Sequence, residues 1–400
     1  MKVLMVISQF YPIIGGAEKQ AQILARKLME RGVTVDIVTG WWNFRTLRKE
    51  IIGGVKVFRN FSCWGVFGIK GIRALGGLIY MFTLGLYLLI HRREYDIIHV
   101  HQALYPAFVS TFVGKQILKK PVLVKTASSG ITSDFKLLRR FPLGNFQLKY
   151  LLKKMDCLVT VSRISGREYR EIGFPESKIV YIPNGVEVPR ERKDFLDGIT
   201  QVVATSRLSE EKGVDVLLRA WADAVKHEKR LQLTIMGYGP LESKLKRLSQ
   251  SLGIGPSVEF TGRVENVEAY LKNAELFILP SRAEGLSNAL LEAMSHRLPC
   301  IATYVGGNVE VLGGTEEGIP PNGGYLLARN GILINPDDIE GLSKAIIYFV
   351  RNKNEREEMA NRGRLYIQEN YSIDLIADRY IALYHHMLNR KSRCVGSVEK

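Results

Sequence analysis

At 400 residues the chain is longer than one hydrophobic core usually serves, so two domains are expected. With 46% hydrophobic and 24% charged residues, its composition excludes a disordered chain and reads as a globular protein, not one integral to a membrane. A net charge of +16 calls for an anionic partner, and nucleic acid, phosphorylated small molecules or an acidic membrane surface would each satisfy it.

The opening MKVLMVISQFYP predicts a buried strand from Lys2 to Ser8, because it lacks the charged leader and small-residue cleavage site of a secretory signal. Gly15 and Gly16 precede a helical pattern from Ala17 to Arg31, followed by strands at Thr34 to Thr39 and Val55 to Arg59. From Ala74 to Ile90 the chain runs 17 residues without a charge, between Lys70 and Arg73 on one side and His91, Arg92 and Arg93 on the other. That length sits at the lower limit for crossing a bilayer. A crossover helix packed on a sheet is preferred because the strand-like DIIHVH follows at once; an interfacial helix and a spanning helix are the alternatives. Further strands are predicted at Ile97 to His101, Val122 to Lys125, Cys157 to Val161 and Ile179 to Ile182. Near-continuous apolar runs such as VLMVI and LVTV are what a parallel sheet covered on both faces requires.

After Asn184 the polar, Pro-containing stretch NGVEVPRERKDFLDGIT reads as a linker, and the βα rhythm restarts. Strands are predicted at Gln201 to Ser206, Leu231 to Met236, Val258 to Phe260, Leu276 to Pro280 and Cys300 to Thr303, with helices from about Val214, Pro240, Asn266 and Asn288. The fold class is α/β: a Rossmann-like domain over 1–185, a second over 198–372, and a helix over 373–390 long enough to return to the first. Two such domains facing across a cleft would bind a ligand there. Cys63, Cys157, Cys300 and Cys394 lie too far apart for a zinc or dithiol motif and are expected as reduced thiols in the cytosol.

In open α/β sheets ligands sit beyond the carboxyl ends of the strands, so the residues just after strands are the candidates. Gly15 and Gly16 would let backbone approach a ligand at a helix start, although tight turns use glycine for the same steric reason. In SRLSEEKG, Arg207 supplies a planar fork and Lys212 a mobile point charge, together suited to a diphosphate. Gly237 follows the next strand, and Gly262, Arg263 and Val264 end a third where backbone edges could face a nucleobase. The densest pattern is FILPSRAEGLSNALLEAMS. Here Glu284 and Gly285 sit in a loop, and the amides of Leu286, Ser287 and Asn288 open a helix whose positive end suits phosphate. Glu292 lies about a turn inside that helix, where a carboxylate can accept both hydroxyls of a ribose.

The run EGLSNALLEAM, with SRLSEEKG, GYGP, IPNGV and FYPIIGGAE, resembles the retaining glycosyltransferases of family 4, which have the GT-B fold. The resemblance spans almost the whole chain and implies donor-diphosphate contacts at Arg207 and Lys212. It also implies a ribose contact at Glu292, a donor-sugar contact at Glu284, and a Gly15–Gly16 loop that closes over the diphosphate. It implies no metal and no cofactor beyond a nucleoside-diphosphate sugar, the donor substrate. The matching helix-start and loop residues Gly237, Gly262 to Val264 and Gly285 to Asn288 complete the expected donor set.

Three departures stand out. Where the family often carries a histidine after the strand matching VLVKT, this chain has Lys125, Thr126, Ala127, Ser128 and Ser129, and His101 is the substitute candidate facing the cleft. Arg297 replaces the family's usual glycine before LP, and residues 313–328 look like a loop insertion; both are expected to reshape the donor pocket. The expected catalytic set is Glu284, Arg207, Lys212 and His101, and the expected acceptor set is His101, Lys125, Ser128, Arg163 and Asn184.

Transfer passes through an oxocarbenium-like state, so the enzyme must stabilise a departing diphosphate and exclude water. The basic charge, the apolar run and Lys136, Arg139 and Arg140 favour a lipid-linked or surface-polysaccharide acceptor, and peripheral contact with the inner face of an anionic plasma membrane. A GT-B sugar-nucleotide epimerase or a phosphorylase is the alternative. A nicotinamide dehydrogenase is disfavoured by the absence of G-x-G-x-x-G after a strand. A nucleic-acid-binding module would explain the charge, but no binding motif supports it.

Overall fold

The computed structural model describes residues 1–13, 15–62, 70–127, 133–141, 143–190, 200–315 and 318–396, without the side chains of 70–74 and 390–396. The candidate acceptor residue Ser128 lies outside the described residues. The chain divides into two units, one of Met1–Gly185 with Ile373–Lys400 and one of Val186–Ser372.

The first unit is built on eight strands: β1 (Lys2–Ile7), β2 (Thr34–Trp41), β3 (Lys49–Ile52), β4 (Val55–Phe61), β5 (Ile97–His101), β6 (Val122–Lys125), β7 (Cys157–Thr160) and β8 (Ile179–Tyr181). Their order is β3-β4-β2-β1-β5-β6-β7-β8, and only β3 runs antiparallel to its neighbour. Alternation splits each central strand between two cores. Val3, Met5 and Ile7 point to one, covered by α1 (Gly16–Glu30); Leu4 and Val6 point to the other, covered by α2 (Lys70–Ile90) and α3 (Tyr105–Val109). α3 runs on as a π-helical segment, Ser110–Ile117, and α4 (Asp134–Leu138), α5 (Gly144–Lys154) and α6 (Arg163–Glu171) complete the crossovers.

The uncharged run is thus a crossover helix: Tyr80, Leu84 and Leu88, spaced one turn apart, are fully buried against the sheet. Among the described residues no helix is long and apolar enough to cross a membrane. The last helix, α14 (Ile373–Gly396), packs Ile373, Ile376, Ala377, Tyr380 and Tyr384 into the same core as α1. Arg31 marks its first turns, bonding Asp374 at 2.9 Å and Asp378 at 2.6 Å.

The second unit has seven strands, β9 (Gln201–Thr205), β10 (Gln232–Met236), β11 (Val258–Gly262), β12 (Leu276–Leu279), β13 (Cys300–Thr303), β14 (Leu326–Ala328) and β15 (Gly331–Ile334), in the order β11-β10-β9-β12-β13-β15-β14. Its helices are α7 (Val214–His227), α8 (Glu242–Ser251), α9 (Val267–Asn273), α10 (Asn288–Ser295), α11 (Gly307–Leu312), α12 (Ile339–Arg351) and α13 (Lys353–Asn370). Trp221 of α7 is the largest wholly buried side chain of its core. Part of the segment expected as a loop insertion is instead sheet. Leu326–Ala328 pairs antiparallel with Gly331–Ile334, so the end of that segment is an edge strand.

One buried polar tie links β5 to α14: the Nδ1 of His99 lies 2.7 Å from the Tyr384 hydroxyl, and both side chains are fully buried. Tyr384→Phe would leave that ring nitrogen unpaired in the core. The expected cost is about 1–3 kcal/mol in the denaturation transition of this unit, and pairing the change with His99→Leu should recover part of it.

Candidate active site

In the second unit the expected donor residues gather along one sheet edge. Arg207 and Lys212 follow β9, Gly237 follows β10, Gly262 ends β11 before Arg263 and Val264, and Glu284 to Asn288 lie between β12 and α10. The loops touch because glycine lets them. Gly213 follows Lys212 at φ +61, and a Cβ there would stand 2.0 Å from the Pro280 carbonyl oxygen. At Gly237 the corresponding contact is 1.8 Å from the Ser206 oxygen. Backbone bonds then fix the register, Gly237 N–H to Gly262 O at 2.8 Å and Leu208 N–H to Tyr238 O at 3.1 Å.

Charge holds the centre. Lys212 Nζ donates to Glu284 Oε1 at 2.7 Å, and the Ser281 hydroxyl donates to the same oxygen at 2.7 Å. The Glu284 side chain is only 9% exposed against 23% for Lys212, so the carboxylate is mostly desolvated and the ammonium stays within reach of solvent. A second clamp escaped the sequence reading. Arg282 forms a bidentate pair with Asp215 at 2.9 and 2.9 Å and bonds Asp337 at 2.7 Å, while its own N–H donates to Glu211 O at 2.8 Å. Burial pushes the Asp215 carboxyl up, but the bonds and charge of Arg282 outweigh it and hold the group below the usual carboxylate range. The two bridges tie 207–215 to 281–285 at both ends. A charged residue beside Glu284 in an otherwise small-residue loop was the available signal; its partner 67 positions away was not.

α10 begins as expected, with Ser287 as its cap accepting from Leu290 N–H at 3.4 Å. Leu286 and Ser287 are buried, and Glu292 is half-buried a turn further on. A further glycine pair also went unread: Gly306 adopts φ +49, with a Cβ there 1.9 Å from the Glu284 carbonyl oxygen, and Gly307 N–H donates to Gly285 O at 2.9 Å. α11 is thereby seated on the Glu284 loop. Arg297 corrects an expectation. It does adopt the left-handed conformation that favours glycine, at φ +63, but its Nε donates to Asn361 on α13 at 2.6 Å, at the opposite end of α10 from the donor loop.

In the first unit, Gly15 caps α1 and Gly16 opens it, both exposed, and Glu18 accepts the Gly15 N–H at 2.9 Å. The expected acceptor residues follow neighbouring strand ends: His101 ends β5, Lys125 ends β6 directly beside it, Arg163 opens α6 after β7, and Asn184 follows β8. Arg163 lies over the Tyr181 ring at 5.4 Å, and Asn184 is buried. His101, the substitute candidate expected to face a cleft, is buried. His99 and His101 alternate onto the face that α14 covers, stack at 4.3 Å, and are wholly buried.

Burial, with the Lys125 charge beside it, holds the His101 imidazole well below its ordinary range. Burial likewise pushes Lys125 itself down to about 7; its ammonium lies 5.9 Å over the Tyr380 ring. Among the described residues no cluster of three His, Cys, Asp or Glu could hold a metal ion.

Two outcomes follow from this geometry. Gly213→Ala and Gly306→Ala should each destabilise the second unit by more than about 2 kcal/mol, because backbone must move. Gly262→Ala, at φ +68 with open space around it, should cost only about 1 kcal/mol, read by chemical denaturation. Lys125, depressed in the fold, binds fewer protons folded than unfolded above pH 7, so stability should rise from pH 7 to about 8.5, where the buried thiols of Cys157 and Cys300, both pushed up, begin to oppose it. Lys125→Met should flatten that rise and lift the pH 7 melting temperature by about 5 °C, measured by differential scanning fluorimetry.

Comparison with known proteins accounts for nearly the whole chain. Residues 14–190 match the family model described as Glycosyltransferase Family 4, and residues 189–366 match Glycosyl transferases group 1. The chain is 25% identical to N-acetyl-alpha-D-glucosaminyl L-malate synthase of Bacillus anthracis, over 94% of this chain and 96% of that protein. It is 26% identical to a phosphatidylinositol N-acetylglucosaminyltransferase polypeptide of Arabidopsis thaliana, over 98% of this chain and 83% of that one. Among solved structures, Anabaena HepE in complex with UDP-glucose superposes with a TM-score of 0.75 at 18% identity, covering 96% of this chain and 100% of HepE. The two Rossmann-like units are those of a GT-B fold, and the chain is a glycosyltransferase with family 4-like domains.

Proposed function

We propose that the protein is a retaining, metal-independent hexosyltransferase that takes its sugar from a nucleoside-diphosphate donor and passes it to a hydroxyl of a lipid-linked or surface-polysaccharide precursor. The observation that carries this is the Lys212–Glu284–Ser281 cluster, seated at the strand ends beside the start of α10. Lys212 and the exposed Arg207 present cations to the diphosphate, and a lysine with three donors can serve a phosphate while keeping its bond to Glu284. Glu284 accepts from a hydroxyl of the donor sugar, and Glu292 from the ribose. The acceptor oxygen forms its bond to the anomeric carbon on the face the diphosphate leaves, and the departing phosphate oxygen takes the acceptor's proton. Lipid acceptors are supported by the phosphatidylinositol named in the Arabidopsis relative, and nucleotide donors by the UDP-glucose bound to HepE.

Calorimetry with UDP- and GDP-sugars tests the donor half. Lys212→Ala should weaken binding of the preferred nucleotide sugar and lower turnover about 100-fold, roughly 3 kcal/mol, whereas Glu284→Gln should keep nucleoside-diphosphate affinity and lose turnover. Binding by Lys212→Ala equal to wild type would contradict the reading. Turnover should survive EDTA and give a product of the donor's anomeric configuration by NMR. An epimerised nucleotide sugar, or cleavage that needs phosphate, would point instead to an epimerase or a phosphorylase.

A further inference from the structure

α2 gives the sheet only one of its faces. Leu75, Leu78, Phe82, Leu86 and Ile90 recur at three- and four-residue spacing on the other side and are 47% to 74% exposed. A crossover helix needs one apolar face, so this second stripe contributes nothing to the core. It does not stand alone. α2 crosses the π-helical segment at Gly85, where a Cβ would touch Val109 and Val113 at 3.7 and 3.6 Å. Next to that crossing the exposed Phe112 stacks on Phe108 at 6.4 Å, and Phe108 also meets the exposed Phe146 of α5 at 6.1 Å. Leu143, at the start of α5, is 75% exposed. Among the described residues, nine of the twenty-one exposed large apolar side chains fall between 75 and 146.

The charge is concentrated in the same stretch. Residues 50–156 carry sixteen Lys and Arg against the five acids Glu50, Glu94, Asp96, Asp134 and Asp156, which places eleven of the sixteen net positive charges in about a quarter of the chain. Arg92, Arg93, Lys136, Arg139, Arg140 and Lys149 are all exposed. A second copy of the chain would oppose this surface with the same positive charge, and a polyanion such as nucleic acid would leave the aliphatic stripe uncovered. An anionic bilayer satisfies both, with leucine and phenylalanine among the acyl chains and the cations at the headgroups. The helix lies along such a surface and not through it, because its inner face is held by the sheet, where the Tyr80 hydroxyl donates to Ile7 O at 3.3 Å.

We propose that the outer face of α2, with the π-helical segment and α5, docks the protein on the surface of an anionic phospholipid membrane. The proposal stands on the first unit alone and is independent of the donor chemistry. It is tested by sedimenting the full chain with phosphatidylcholine vesicles, with and without phosphatidylglycerol, at low and high salt. Wild type should pellet with phosphatidylglycerol vesicles at low salt and be released in part by high salt. Phe82→Ser with Leu86→Ser, and separately Phe146→Ser, should bind at least about tenfold more weakly at an unchanged melting temperature, and Arg139→Glu with Arg140→Glu should weaken the low-salt binding. Wild type that stays in the supernatant overturns the proposal. So does vesicle binding by the Phe82/Leu86 variant equal to wild type, or a wild-type dimer that this variant dissociates. Calorimetry of donor binding on the same variants should be unchanged, which separates a failure of docking from a failure of the catalytic reading.

Discussion

The second unit depends on a steric permission. Loops that leave neighbouring parallel strands carry side chains that would hold them apart, and here they meet because glycine occupies the points of contact. Carbonyl oxygens of Pro280, Ser206 and Glu284 occupy the space that a Cβ at Gly213, Gly237 and Gly306 would need. Only after that approach can charge act. Lys212 reaches Glu284, and Arg282 closes on Asp215 from the other side. A partly desolvated ion pair is poor evidence of stability, since removing its charges from water offsets much of the attraction. Of the two partners, the ammonium of Lys212 keeps the greater exposure to solvent.

The first unit manages polarity in the opposite way. His99, His101 and Lys125 are buried beside the tyrosines of α14, and burial drives all three towards their neutral forms. The cluster is sealed from solvent, whereas Arg163 is exposed. Eleven of the sixteen net positive charges fall in residues 50–156, and the exposed Arg92, Arg93, Lys136, Arg139, Arg140 and Lys149 belong to the same stretch as the apolar stripe of α2.

Much of the frame was legible in the residues. β5, β6 and β13 have the predicted bounds, because a short, uninterrupted apolar run between turn residues leaves a buried parallel strand few alternatives. β3 was missed since KEII alternates on an edge, and β14 because glycines and prolines precede it. The order of donor motifs, and the helix start at Asn288, were readable from local chemistry. What stayed hidden depends on distant chain. Arg282 cannot be matched to Asp215, nor Gly306 to the Glu284 carbonyl, without the sheet order that brings their loops together. The face taken by His101 is set by α14, which begins some 270 residues later.

The most direct measurement is a crystal structure of the protein with its preferred nucleoside diphosphate. The diphosphate oxygens should lie within hydrogen-bond distance of Arg207, Lys212 and the first amides of α10, with the ribose against Glu292. A nucleotide bound elsewhere, or one that leaves Arg207 and Lys212 without phosphate contact, would contradict that placement.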